Sequence, residues 1–238
     1  MTSLRRLTVK IFADGADRSS MLDLYTRPYI NGLTTNPSLM RKAGIADYRN
    51  FAKDILSIIT DKPVCFEVLS DDFADIERQA LEIAGWADNV YVKIPVINTK
   101  RETCCSLVRR LANRQVKLNV TAIMTLEQVH ELTSALNPAT ACYVSVFAGR
   151  IADTGLDPLP MMRRVVESFR SHPRAEIVWA STREVLNIFQ ADAAGCHVIT
   201  ATEDILRKLS LVGYDLAEYS LDTVKMFYDD ARVAGFSL

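Results

Sequence analysis

Nothing in this sequence is apolar for long enough to cross a bilayer, since a helical span takes roughly 18–20 consecutive apolar residues. The basic start, Met1-Thr2-Ser3-Leu4-Arg5-Arg6, leads into a segment carrying Lys10 and Asp14, which does not read as the apolar core of a signal peptide. Glycine is scarce, with nine residues. No G-x-G-x-x-G follows the first apolar run and no glycine-rich loop could cradle phosphates, so nucleotide binding has little support. Histidine is scarcer still. His130, His172 and His197 lie far apart, and the five cysteines show no metal-ligand spacing. A zinc site and a disulfide framework are both disfavoured, and the thiols read as reduced, buried and cytoplasmic. An excess of charge is also missing: the formal net is −1, with no basic footprint for nucleic acid.

What the chain does have is a repeating alternation. Apolar, β-branched runs occur at residues 7–13, 29–34, 63–69, 89–96, 116–123, 142–147, 176–181 and 196–200. Helical spacing separates them at residues 17–26, 47–59, 72–86, 100–113, 125–136, 157–171, 183–193 and 203–209. One extra short helix, opened by Asn36 as N-cap and Pro37 at the first turn, precedes residue 44. A last helix spans about residues 216–234. Eight short strands, each followed by helix, predict an α/β fold of the (β/α)8 TIM-barrel type. No linker divides the chain, so one barrel domain over residues 1–238 with an added C-terminal helix is expected. An open, doubly wound sheet is the alternative, weakened by the missing glycine fingerprint.

The most informative run is Asn89-Val90-Tyr91-Val92-Lys93-Ile94-Pro95-Val96. A lysine inside a buried strand is costly unless paired, and burial favours the neutral amine, a nucleophile toward carbonyls. The plainer reading is a lysine whose head snorkels to water. In a barrel, chemistry gathers at the carboxyl ends of the strands, and all but one of the expected strands deliver a polar residue there. Asp14, Asn36, Glu67, Lys93, Asn119, Thr121, Ser145, Arg150, Ser181 and Arg183 all belong to this rim. Glu67 and Asp14 are candidate acid/base groups for Lys93, against ordinary roles as salt bridge or loop cap. Thr121 could hold a relay water, although threonine is common in strands. Arg150, Ser181 and Arg183 could clamp an oxyanion, or the arginines could be plain surface charges.

Taken together, Gly32-Leu33-Thr34-Thr35-Asn36-Pro37-Ser38, Val90-Tyr91-Val92-Lys93-Ile94-Pro95, Ser145-Val146-Phe147-Ala148-Gly149-Arg150-Ile151, Ala180-Ser181-Thr182-Arg183 and Gly195-Cys196-His197-Val198-Ile199-Thr200 resemble the transaldolase family. The likeness covers nearly the whole chain and includes the small-subunit branch and the related fructose-6-phosphate aldolases. It implies a class I aldol mechanism with no metal and no cofactor. Lys93 would form a Schiff base with a ketose phosphate, and Asp14 would take the proton of the C4 hydroxyl. Glu67, with a water on Thr121, would serve carbinolamine formation and dehydration. Thr34, Asn36, Asn119, Ser145 and Phe147 would line the substrate site, with Arg150, Ser181 and Arg183 on the distal phosphate.

Glu67 and Phe147 are similar to true transaldolases, where the aldolases carry glutamine and tyrosine; both favour transfer of the pentose phosphate type over free cleavage. The loop Ala13-Asp14-Gly15-Ala16-Asp17 departs from the family's usual Asp-Thr or Asp-Ser. An aldolase releasing free dihydroxyacetone, a sulfosugar substrate and a noncatalytic sugar-phosphate-binding barrel are the other readings. The final helix is amphipathic and carries Phe227 and Tyr228. With the family's small members, it implies a homo-oligomer, a decamer in preference, with residues 216–234 docked on a neighbouring subunit.

Overall fold

Each β-branched run becomes a strand, and the strands close on themselves. Residues 7–236 are described by a computed structural model. The strands are β1 (Lys10–Asp14), β2 (Ile30–Thr34), β3 (Val64–Glu67), β4 (Val90–Pro95), β5 (Leu118–Ile123), β6 (Cys142–Val146), β7 (Ala175–Trp179) and β8 (Val198–Thr202). They pair in sequence order, all parallel, with β8 returning to β1. This is a TIM barrel. Its outer ring is α1 (Arg18–Tyr25), α2 (Pro37–Lys42), α3 (Tyr48–Ile58), α4 (Phe73–Ala84), α5 (Cys105–Asn113), α6 (Leu126–Thr133), α7 (Ala148–Asp153), α8 (Leu159–Ser168), α9 (Leu186–Ala194) and α10 (Glu203–Arg207). A 3-10 turn, Lys208–Leu211, leads to the C-terminal helix α11 (Leu216–Val233).

Pairing is not equally dense around the ring. β1 meets β8 at every residue from Lys10 to Asp14, whereas β2 registers with β3 at Leu33–Val64 and Thr34–Cys65. β7 registers with β8 at Val178–Val198 and Trp179–Ile199.

Side chains alternate across a strand, so each strand gives one set to the helices and one to the barrel interior. The outward set and the facing helices form the main apolar core. The inward set is layered. Phe12, Cys65, Tyr143, Val178 and Val198 pack together low in the barrel, joined by Tyr91. Two residues further along the same strands come Asp14, Glu67, Lys93, Ser145 and Thr200. The apolar layer thus forms a floor under the polar one. Phe12 and Tyr143 meet edge-on with centroids 5.3 Å apart, and Tyr91 lies 4.3 Å from Tyr143. Gly32 makes room for this floor: a Cβ there would sit 2.5 Å from the Phe12 ring.

Some element ends differ from the sequence expectation for identifiable reasons. The helix expected from residue 100 begins at Cys105. Before it, the Asn98 side chain accepts from the Lys100 and Glu102 amides, Arg101 turns left-handed at φ 65°, and Ile97 bridges Thr103. The strand expected to reach residue 181 stops at Trp179, because Ser181 has φ 65°, incompatible with an extended chain. Residues 148–153, expected as loop, form α7. The extra helix between the second and third strands is present as α2. Asn36 caps it by accepting from the Leu39 amide at 3.0 Å.

No residue of α11 is buried. Leu216 and Val233 are 80% and 90% exposed, and Val224, Phe227 and Tyr228 also face outward. No helix among the described residues is long and apolar enough to cross a membrane.

Candidate active site

The carboxyl ends of the strands enclose a cavity of about 430 Å³. Register explains why its groups converge. Glu67 pairs with Lys93 across β3 and β4, and Lys93 pairs with Asn119 across β4 and β5. Each is therefore at the same height and on the inner face.

Lys93 is 7% exposed, but it is not a lone cation. Its Nζ lies 3.1 Å from Glu67 Oε2 and donates to the Thr35 carbonyl at 3.3 Å. The ion pair stands at the cavity wall with Glu67 slightly open to it, so the pair is held without being sealed in. The concern raised by the sequence, an unpaired buried ammonium, is met by this neighbour.

Asp14 faces the same space from β1. The Thr34 hydroxyl donates to its Oδ1 at 2.7 Å. Burial pushes the Asp14 carboxyl above the ordinary carboxylate range, against the opposing pull of the Lys93 charge and the Thr34 bond. A carboxylate of raised basicity next to an amine is suited to taking a proton. Below it, burial pushes the Cys65 thiol up to about 12, which makes it inert floor.

Ser145 Oγ donates to Asn119 Oδ1 at 2.7 Å, both side chains being buried. Thr121 Oγ1 is buried with no hydrogen-bond partner among the described residues, and it lines the cavity. A buried polar atom of this kind carries a desolvation cost of about 1–3 kcal/mol. That cost suits a hydroxyl kept for an incoming ligand or water. Asn36 spends its oxygen on the α2 cap and retains its amide N–H groups for the cavity. The Phe147 ring carries the Arg150 guanidinium 5.7 Å from its centroid.

Every residue singled out from the sequence lines this cavity except Arg183. Arg183 is close by, packed against Gly149, but its guanidinium is bonded to Asp153 and to the Ser181 carbonyl. The expected three-membered anion clamp is therefore, in this structure, Arg150 and Ser181 at the cavity with Arg183 behind them. Three participants escaped sequence reasoning. The Thr35 carbonyl is a backbone group with no sequence signature. Tyr48 donates its hydroxyl to the Glu67 carbonyl at 2.8 Å, with its ring edge-on to Trp86. Gly149 approaches the Ser181 carbonyl so closely that a Cβ would lie 1.6 Å from the oxygen; no larger residue fits without moving one of the two loops.

A second, larger hollow of about 620 Å³ lies outside the barrel between α3 and α4. Its charged walls are occupied with each other, through Arg49–Glu82 and Arg78–Glu82 pairs, and it holds no nucleophile with an acid/base partner. The amine with carboxylate neighbours lies at the barrel mouth instead. Among the described residues no cluster of three or more His, Cys, Asp or Glu could hold a metal ion.

Residues 11–237 match the family described as Transaldolase/Fructose-6-phosphate aldolase. A protein of Hyphomonas neptunium named "Probable transaldolase" is 33% identical over 233 residues, covering 97% of this chain and all of that one (100%). A "Probable transaldolase" of Thermoanaerobacter sp. is 32% identical, covering 97% and 100% of the two chains. Among solved structures, 2,3-dimethylmalate lyase superposes with a TM-score of 0.57 at 12% identity, covering 98% of this chain and 86% of that one. An aldolase called QR15 superposes with a TM-score of 0.53 at 14% identity, covering 87% and 98%. At such identities the two structures speak for the barrel fold alone.

Proposed function

This chain belongs to the transaldolase/fructose-6-phosphate aldolase family, and from that premise we propose that it transfers a dihydroxyacetone unit from a ketose phosphate to an aldose phosphate through a Schiff base on Lys93. The observation that carries the reading is the buried Lys93–Glu67 pair with Asp14 on the facing strand. One amine and two carboxylates of different environment supply the nucleophile and two separate proton stations.

The steps follow from that placement. Glu67 takes a proton from the lysine, and the amine adds to the ketone carbon to give a carbinolamine. Glu67, through a water held by Thr121, returns a proton to the carbinolamine hydroxyl, which leaves as water and gives the iminium. Asp14 then accepts the C4 hydroxyl proton as the C3–C4 bond breaks. The electron pair of that bond flows into the iminium to form an enamine, and an aldehyde departs. The acceptor aldehyde enters, the enamine carbon attacks it, and Asp14 gives the proton back. Hydrolysis of the new iminium releases the product ketose. Thr34, Asn36, Asn119 and Ser145 would hold the three-carbon unit through its hydroxyls. Arg150 and Ser181, backed by Arg183, would hold the distal phosphate. No cofactor takes part in this scheme.

The retained ion pair at Glu67 and the apolar ring at Phe147 favour transfer over release of free dihydroxyacetone, the reading kept second. Incubation with fructose 6-phosphate and borohydride, followed by peptide mass mapping, tests the proposal. A reduced three- or six-carbon adduct on Lys93 is the expected result. Failure to trap both this sugar and free dihydroxyacetone on folded protein would remove the Schiff-base mechanism.

The exposed apolar side chains of α11 support assembly as a homo-oligomer, a decamer, with this helix docked on a neighbouring subunit, since an apolar face of this extent is costly in water. Light scattering at micromolar concentration should report a particle many subunits in mass; a monomer would sink the assembly reading. The five thiols, free and mostly buried, fit action in the cytoplasm.

A further inference from the structure

Arg183 is held aside from the cavity by a definite set of bonds. Its Nε donates to Asp153 Oδ1 at 2.9 Å and its Nη2 to Asp153 Oδ2 at 2.5 Å. This is the two-pronged fork in which guanidinium and carboxylate fit best. A third N–H, on Nη1, donates to the Ser181 carbonyl at 3.0 Å. Ser181 itself is in the left-handed region at φ 65°, a conformation that a residue with a side chain keeps only when its surroundings impose it.

Some of those surroundings come from β8 and α9, where Thr182 donates to the Thr200 carbonyl and Asn187 accepts from the Arg183 and Glu184 amides; the side facing the cavity comes from α7. Gly149 closes on the Ser181 carbonyl, Arg150 lines the cavity, and Asp153 ends the helix one turn further on. Asp153 therefore ties the arm that carries Arg150 to the loop that carries Ser181.

Building on the sugar-phosphate reading of this mouth, we infer that Asp153 is a positioning residue for the distal-anion subsite, fixing Arg183 and, through it, Ser181 opposite Arg150. A guanidinium has five N–H donors. Three are committed to Asp153 and Ser181, and two are left over on a side chain that is about 44% exposed. Asp153 touches no reacting atom and acts only through the groups it holds.

The assignment has a rival with the opposite sign. Asp153 also offsets one of the two guanidinium charges beside the subsite. If charge offset were its whole effect, removing its charge would make the mouth more positive and tighten the binding of a phosphate dianion. If it positions Arg183, removal loosens the fork and weakens binding despite the added positive charge. Asp153→Asn keeps the size and one acceptor oxygen but breaks the fork. Asp153→Glu keeps the charge but displaces the carboxylate.

The experiment is steady-state kinetics on the protein with fructose 6-phosphate as donor and a saturating uncharged aldose, glyceraldehyde, as acceptor, with inorganic phosphate as the competing probe. It is run beside borohydride trapping on Lys93 with uncharged dihydroxyacetone. Both variants are expected to raise KM for the phosphorylated donor, and the inhibition constant for phosphate, by roughly tenfold, the factor lost with about one charge-assisted hydrogen bond. Turnover at saturation should stay within about twofold of wild type, since the chemistry at Lys93 is untouched. Trapping by dihydroxyacetone, which has no anion to hold, should be unaltered.

An unchanged or lowered KM in Asp153→Asn overturns the assignment, as does an equal loss with the uncharged ketone, which would mark a general defect of folding. Should wild type itself trap neither compound, the underlying Schiff-base reading falls and this inference falls with it; the two failures are thereby told apart.

Discussion

Lys93→Met is expected to abolish both turnover and borohydride trapping, lowering kcat/KM by roughly 10⁴-fold or more. Methionine matches the lysine stem in length and apolar character, so the side chain can occupy the same slot between β3 and β5. What disappears is the amine that the Schiff-base proposal bonds to the substrate. No neighbouring group can replace it: among the residues lining the cavity there is no second lysine, and the Arg150 guanidinium is not an amine that can form an iminium.

The substitution also strands Glu67, whose Oε2 lies 3.1 Å from Nζ. Removing one partner of a sealed ion pair costs about 3–5 kcal/mol. Glu67 opens to the cavity, so the loss here should be smaller and the protein should stay folded at assay temperature. Lys93→Arg separates the two effects. It keeps a cation for Glu67 but offers no amine that can form an iminium, so it should melt closer to wild type and be equally inactive. Activity surviving in either variant, measured below the melting temperature, would exclude Lys93 as the nucleophile.

Asp14→Asn should separate stability from activity. The carboxyl is buried, and its raised pKa means that the native protein holds the Asp14 proton more tightly than the unfolded chain does. By linkage, the contribution of this group to stability is fully present below its ordinary value, 3.8. It is lost as pH climbs from there through the raised native value. At neutral pH, well above the ordinary value, that contribution has been given up and burial of the carboxyl counts against the folded state. Asparagine keeps the shape and still accepts the Thr34 hydroxyl bond without a charge.

The variant should therefore melt higher than wild type at pH 7, and the advantage should shrink to nothing in acid. Turnover should meanwhile fall by about 10²–10⁴-fold, the usual size of a lost general base. Urea denaturation midpoints taken across pH, with kinetics at pH 7, check both halves. A variant less stable than wild type at neutral pH would mean that attraction to Lys93 outweighs the burial cost.

Much of this was legible in the chain. β-branched runs bounded by turn residues announce all eight strands, since each run must be buried on both faces. Lys93 and Glu67 stand out because a charge within such a run has to face something. Asn36 before Pro37 marks its helix start by cap chemistry alone. Other features lacked a local signal. Helix α7 opens on Phe147 and Ala148 with no capping side chain, and Gly149 within it docks closely against the next loop. The late start of α5 comes from a side-chain turn at Asn98 that competes with the helix for the same amides. The grip of Asp153 on Arg183 spans thirty positions, and only the closure of the barrel brings the two together. Arg183 is recognisable as a cation from sequence, but whether its charge is free or already engaged is a fact of three dimensions.

The uneven pairing around the ring has a mechanical meaning. β2 touches β3, and β7 touches β8, over just two registered positions each. The barrel is thus two staves, a three-strand piece β8–β1–β2 and a five-strand piece β3 to β7, joined along two thin seams. Lys93, Glu67, Asn119 and Ser145 ride on the wide stave, whereas Asp14 and Thr34 ride on the narrow one. Lys93 and Asp14 therefore sit on either side of a thin seam, which Lys93 itself spans by donating to the Thr35 carbonyl just past β2. Their alignment is a property of hoop closure and of no single strand pair. A slide along either seam would put the amine and the carboxylate out of step, and the Lys93–Thr35 bond is one of the ties that hold them in register.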